Sequence, residues 1–151
     1  MANEVESSLV EALYEELQAE RFVTVSTVDY ETKGPNVSAI SWIYAPTNEI
    51  IRFAVASKSR MVKDISQCKD VVINLIANES CYAIKGYAVV AQKRMEDVPI
   101  KLALIEVSIK EVRDVMFYGS KISVNPTYEK TYDPVAASKL DKQVMSALKQ
   151  A

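Results

Sequence analysis

The spacing of apolar residues changes twice along the chain. Leu9, Leu13 and Leu17 recur every four residues, with Glu15, Glu16 and Gln18 off that stripe, which predicts an amphipathic helix. Ser8, followed three residues later by Glu11, has the spacing of a capping box at its start. From Arg21 the period drops to two. Val23 and Val25 alternate with Thr24 and Ser26, predicting a strand over Arg21–Asp29. Lys33-Gly34-Pro35 marks a turn within Tyr30–Asn36. Val37–Ala45 reads as a second strand, closed by Pro46-Thr47-Asn48, and Ile50–Ala56 as a third. The stretch between Ser57 and Lys69 is helical and polar. Val71–Ala77 is nearly all apolar, which predicts a fourth strand covered on both faces. Cys81–Gln92 is a fifth, with Gly86 at its middle as the mark of a bulge or a close backbone approach. Ile100–Val112 alternates Ile105, Val107 and Ile109 with Glu106, Ser108 and Lys110, a sixth strand. Asp114–Tyr132 reads as loop. Asp133-Pro134 opens a last helix striped by Leu140, Val144 and Leu148.

Six mostly antiparallel strands with helices at the margins predict a mainly β (α+β) fold, a small barrel with flanking helices, formed as a single domain over residues 1–151. Only one helix interrupts the strands, which argues against a parallel, doubly wound sheet. A chain of 151 residues buries roughly 70% of its unfolded surface in one core. No apolar run approaches the roughly 20 residues of a membrane helix. The first twenty residues hold six Glu and no Lys or Arg, the opposite of a secretory signal, so a cytoplasmic location is expected.

The chain contains no histidine. That removes Ser-His-Asp and Cys-His catalysis, the usual His-bearing zinc centres and a proximal-His haem. Cys68 and Cys81 lack metal or dithiol spacing and read as reduced thiols, so no metal is expected. A net charge of −2 argues against a nucleic-acid partner. An enzyme built from these residues would take its chemistry from a cofactor.

One local constellation stands out. Ser57, Lys58, Ser59, Arg60 and Lys63 lie where the third strand hands over to the polar helix. Ser57 or Ser59 is placed to cap that helix. A helix N-terminus carries partial positive charge and favours acidic residues, so three cations and two hydroxyls there point to a bound anion. Arg60 can offer a phosphate a two-pronged donor, and the lysines act as point charges. A solvated first turn with ordinary serine capping fits the same spacing. Trp42 and Tyr44 share one face of the second strand with Ile40, either as core or as a stacking surface. Tyr118, Tyr128 and Tyr132 are placed to line a pocket mouth.

The order of these elements from Arg21 to Val90 resembles the FMN-binding split-barrel superfamily related to pyridoxamine 5′-phosphate oxidase. The resemblance rests on Phe22–Thr27, the Lys33-Gly34-Pro35 turn, Val37–Tyr44, Ile51–Val55, the Ser59-Arg60 helix start, Asp64-Ile65, Val71–Leu75 and Ala83–Ala88. It implies a six-stranded antiparallel split β-barrel, a homodimer, and FMN as cofactor in a groove at the subunit boundary. It further implies Ser59 and Arg60 at the FMN phosphate, Ala54 and Val55 approaching the cofactor through backbone, and Ser41 on the strand flanking the ring. Met61 stands where the family often has a second cation, and Asn36 and Ser41 stand where oxidase members carry basic residues. The C-terminal substrate signature of the true oxidase is absent. The resemblance therefore implies a flavin oxidoreductase of unassigned substrate, with a non-catalytic flavin- or phosphate-ligand-binding or sensing module as the alternative.

Overall fold

The period-two segments pair into one sheet in the computed structural model, which describes residues 5–151. The strands are β1 (Val5–Glu6), β2 (Val23–Val28), β3 (Pro35–Ile40), β4 (Ile43–Thr47), β5 (Ile50–Ala56), β6 (Asp70–Ala77), β7 (Ser80–Gln92) and β8 (Leu102–Asp114). The helices are α1 (Glu11–Glu16), α2 (Arg60–Gln67) and α3 (Pro134–Gln150). The ladders among the described residues are antiparallel, in the order β3-β2-β6-β7-β8-β5-β4, with β1 on β8. The sheet is not closed. Its two outer strands, β3 and β4, are consecutive in sequence, so the sheet curls until its edges meet at one corner. This is a mainly β split barrel with flanking helices.

That corner corrects the sequence expectation of one strand over Val37–Ala45. The run breaks at Ser41–Trp42, because its two halves pair with different neighbours. β3 pairs with β2 and β4 with β5. The Ser41 carbonyl accepts from Arg21 N and Ile43 N, each at 3.0 Å, and the Trp42 carbonyl accepts from Ala54 N at 3.0 Å. Side-chain parity flips across the break. Ile40 packs on the barrel core with Ile43 and Ala45, whereas Trp42 and Tyr44 pack outside it. The expectation that Ile40 shares a face with Trp42 and Tyr44 fails for this reason.

Two apolar clusters follow. Leu9, Leu13 and Leu17 are buried with Val23, Val25, Phe53, Ile73, Leu75, Ile84 and Ile105 inside the barrel. The α3 stripe, with Val144 and Leu148 fully buried and Leu140 beside them, covers Ala54, Leu102 and Leu104 on the outside of β5 and β8. The strands covered on both faces are thus β5 and β8. The expectation for Val71–Ala77 is half right: alternate residues of β6 are buried, but Val72, Asn74 and Ile76 are only half-buried because no helix lies over them.

The predicted start of α1 also moves. Val10 is its N-cap and no side chain caps it. Leu9 N donates to the Asn48 carbonyl at 2.8 Å, which holds the chain extended past Ser8 and overrides the capping box. At α3 the expectation holds, since Asp133 caps the helix by accepting from Val135 N. Gly86 is both a bulge and a close approach. The β7–β8 register shifts beside it, and a Cβ there would lie 2.5 Å from the Ser108 carbonyl oxygen. Among the described residues no helix is long and apolar enough to cross a membrane, and no His/Cys/Asp/Glu group is arranged to hold a metal ion.

Candidate functional site

The split between the sheet edges opens as a cleft of about 470 Å³, within the size range of small-molecule sites. Ser38, Ala39 and Ile40 of β3 form one wall, continued by the Ser41–Trp42 corner. Ala54, Val55 and Ala56 of β5 form the other, and Ser59, Arg60 and Met61 close it at the start of α2. Lys130 and Tyr132, from the long loop after β8, complete the rim.

Of the residues singled out in the sequence, Ser41, Ala54, Val55, Ser59 and Arg60 meet on this one surface. Ser57, Lys58 and Lys63 do not line it. Ser57 Oγ donates to the Lys93 carbonyl at 2.8 Å. Lys58 and Lys63 are exposed, and Lys63 Nζ lies 5.7 Å from the Tyr30 ring centre. The expected serine cap is absent: Ser59 occupies the N-cap position without a side-chain cap bond. Its Oγ is instead buried with no hydrogen-bond partner at all. A buried hydroxyl left unpaired costs about 1–3 kcal/mol. Met61 is buried, and its thioether side chain adds apolar surface where the resemblance expects a second cation.

Arg60 is not idle. Its Nε donates to Asp29 Oδ1 at 2.6 Å and its Nη2 to Glu31 Oε1 at 3.0 Å, while its guanidinium lies 4.8 Å from the Tyr30 ring centre. Among the described residues Nη1 makes no hydrogen bond. Asp29 is almost fully buried and also accepts from Glu31 N, Thr32 N and Asn36 Nδ2. Asn36 Nδ2 bridges onward to buried Asp64, which takes further bonds from Thr27 Oγ1 and Tyr30 N. Arg60, joined by these backbone and amide donors, holds the Asp29 carboxyl far below the ordinary carboxylate range. The same pairings with Asp29 and Glu31 raise the Arg60 guanidinium above its ordinary value. The hairpin turn between β2 and β3 is thereby fixed to α2, and Arg60 is fixed to the cleft.

A second polar network frames the other end of β3. Lys130 Nζ donates to Glu20 Oε2 at 2.8 Å and to Asp141 Oδ1 at 2.9 Å. Ser41 Oγ donates to the same Glu20 oxygen, and Trp42 Nε1 to the same Asp141 oxygen at 2.9 Å. Burial pulls the Lys130 ammonium down, but its bonds to Glu20 and Asp141 outweigh this and keep its pKa above the ordinary lysine value. Burial and the neighbouring Glu20 charge push the Tyr128 phenol up. Sequence reasoning missed Lys130, Glu20 and Asp141, which lie far apart along the chain, and placed only Tyr118, Tyr128 and Tyr132 near a pocket mouth. Tyr118 is 99% exposed and takes no part.

No family model matches the chain, and no curated protein matches it. Solved structures do. A pyridoxamine 5′-phosphate oxidase-like protein of Lactobacillus delbrueckii superposes with a TM-score of 0.56 at 16% identity, over 70% of this chain and 93% of that one. An F420 reductase gives 0.54 at 16% identity, over 69% and 98%. HutZ, a heme storage protein of Vibrio cholerae, gives 0.52 at 12% identity, over 69% and 93%. The fold is therefore the split barrel of pyridoxamine 5′-phosphate oxidase-like proteins, in agreement with the order of motifs in the sequence.

Proposed function

We propose that this protein is an FMN-binding flavoprotein acting as an oxidoreductase on a small molecule. The observation that carries this reading is the buried, unpartnered Ser59 hydroxyl beside Arg60, at the foot of a cleft with apolar walls. FMN fits that chemistry, with a phosphate for the hydroxyl and guanidinium and a flat ring for the walls. When bound, the flavin supplies the hydride-transferring group. Ser59 Oγ and Arg60 Nη1 bind the phosphate. Ala54 and Val55 of β5 and Ser41 and Trp42 of the corner would hold the ring, and Met61 would add apolar surface between ring and phosphate. Charge-assisted hydrogen bonds of about 1.5–3 kcal/mol each cover part of the roughly 8 kcal/mol of micromolar affinity, and apolar burial the rest. Adding excess FMN, desalting and recording the visible spectrum tests the assignment. Retained flavin absorption is expected, and a colourless protein overturns it.

A non-catalytic flavin-binding or sensing module is the second reading, favoured by the engagement of Arg60 with Asp29 and Glu31. Reduction of bound FMN by a nicotinamide nucleotide separates the two.

The reading includes a homodimer. By strand register, Val28, Val37 and Val72 share the outer face of β3-β2-β6, which no helix covers, and Val37 is 66% exposed. A second copy is the occupant we assign to this face. Sedimentation at micromolar concentration should give a dimer and Val37→Asp a monomer. A monomeric wild-type chain removes the assignment.

A further inference from the structure

We infer that Glu31 is an internal competitor for the ligand's anion: it occupies one Arg60 donor and lowers the affinity of the cleft for a dianionic phosphate monoester, while leaving a neutral tail unaffected. The inference rests on the phosphate reading above. Arg60 has three donor nitrogens. Asp29 holds Nε from a nearly buried position, fixed by three further donors, and cannot leave without orphaning them. Glu31 is different. Its side chain is 61% exposed, and Nη2 of Arg60 is the one side-chain donor it engages among the described residues. It is a displaceable carboxylate on a guanidinium that lines the cleft.

An incoming tail therefore finds Ser59 Oγ and Arg60 Nη1 without partners among the described residues, and reaches Nη2 only by moving Glu31 aside. A dianion replaces one negative charge with two and gains on the exchange. A neutral tail gains nothing from Arg60 and leaves the Glu31 pair in place. Glu31 thus raises the threshold for occupancy by a phosphate monoester, which has to displace it, and does not act on a neutral tail. An exposed ion pair contributes up to about 1 kcal/mol, so the threshold corresponds to roughly threefold to fivefold in affinity.

The experiment compares Glu31→Gln with the wild-type protein for binding of FMN and of riboflavin, which lacks the phosphate, at low ionic strength. The variant keeps the size of the side chain and removes its charge. FMN should bind about threefold to fivefold more tightly to Glu31→Gln, and riboflavin affinity should stay the same. Inorganic phosphate should compete with FMN more effectively on the variant than on the wild type. Unchanged or weaker FMN binding by the variant overturns the gate. A parallel change for riboflavin also overturns it, since that would be a general effect on the cleft. Failure of both proteins to bind FMN would instead overturn the flavin reading itself.

Discussion

Arg60 Nε donates to Asp29 Oδ1 at 2.6 Å, tying the first turn of α2 to the hairpin between β2 and β3. The carboxylate is nearly buried while the guanidinium side chain is 51% exposed. One end of the pair is thus structural, and the other faces the cleft. Replacing Arg60 by Ala should weaken FMN binding about tenfold to a hundredfold, the worth of one charge-assisted contact of about 1.5–3 kcal/mol. Calorimetric titration measures it, and unaltered affinity would remove the phosphate from this end of the cleft.

Ser59→Ala should separate binding from stability. The hydroxyl has no partner in the free chain, so its removal relieves an unpaired buried group and leaves the melting temperature unchanged or higher. FMN affinity should fall severalfold, by the roughly 0.5–1.5 kcal/mol of one hydrogen bond. Loss of stability without loss of affinity would mean that Ser59 serves the helix and not a ligand.

Acid should act through Asp29. Its folded pKa is depressed below the ordinary 3.8, so the stability it contributes is complete above that value and drains away as pH falls below it. Chemical denaturation of Asp29→Asn at several pH values should give a protein less stable near neutrality and with a shallower decline below about pH 4. An equal decline in both proteins would assign the acid sensitivity elsewhere.

Trp42 is the single tryptophan, and it lines the cleft while donating to Asp141. Its emission should be quenched as FMN is titrated in. Lys130→Met should make Trp42 more accessible to acrylamide, because Lys130 lies 5.4 Å from the ring centre and joins Glu20 to Asp141 around it. Emission indifferent to FMN would place the flavin away from the corner.

Gly86→Ala should destabilise the barrel by about 1–3 kcal/mol, the usual cost of overpacking. The new methyl would meet a backbone carbonyl that cannot rotate away. A melting temperature within a degree of wild type would mean that β7 and β8 can part locally.

Local signals carried most of the architecture. Alternating Val23–Ser26 and Ile105–Lys110 announced strands, and Asp133-Pro134 announced α3, because each depends only on neighbours in sequence. Ser59 and Arg60 were legible for the same reason. What stayed hidden depends on distant partners. Nothing near Ser8 tells that Leu9 N will bond to Asn48, and nothing near Val37 tells that Ile40 and Ile43 will join different strands. The carboxylates around Arg60 lie about thirty residues upstream, and those around Lys130 more than a hundred and about ten residues away. Hydrophobic period contains no information about such pairings.

The parity flip at Ser41–Trp42 restricts how the chain length can drift. One residue added or lost there would exchange the side chains facing the barrel with those facing α3 along all of β4, and would carry Trp42 out of the cleft. Insertions and deletions should therefore be purged from this corner in descendants of the sequence and accumulate between residues 115 and 128, where the backbone answers to no ladder.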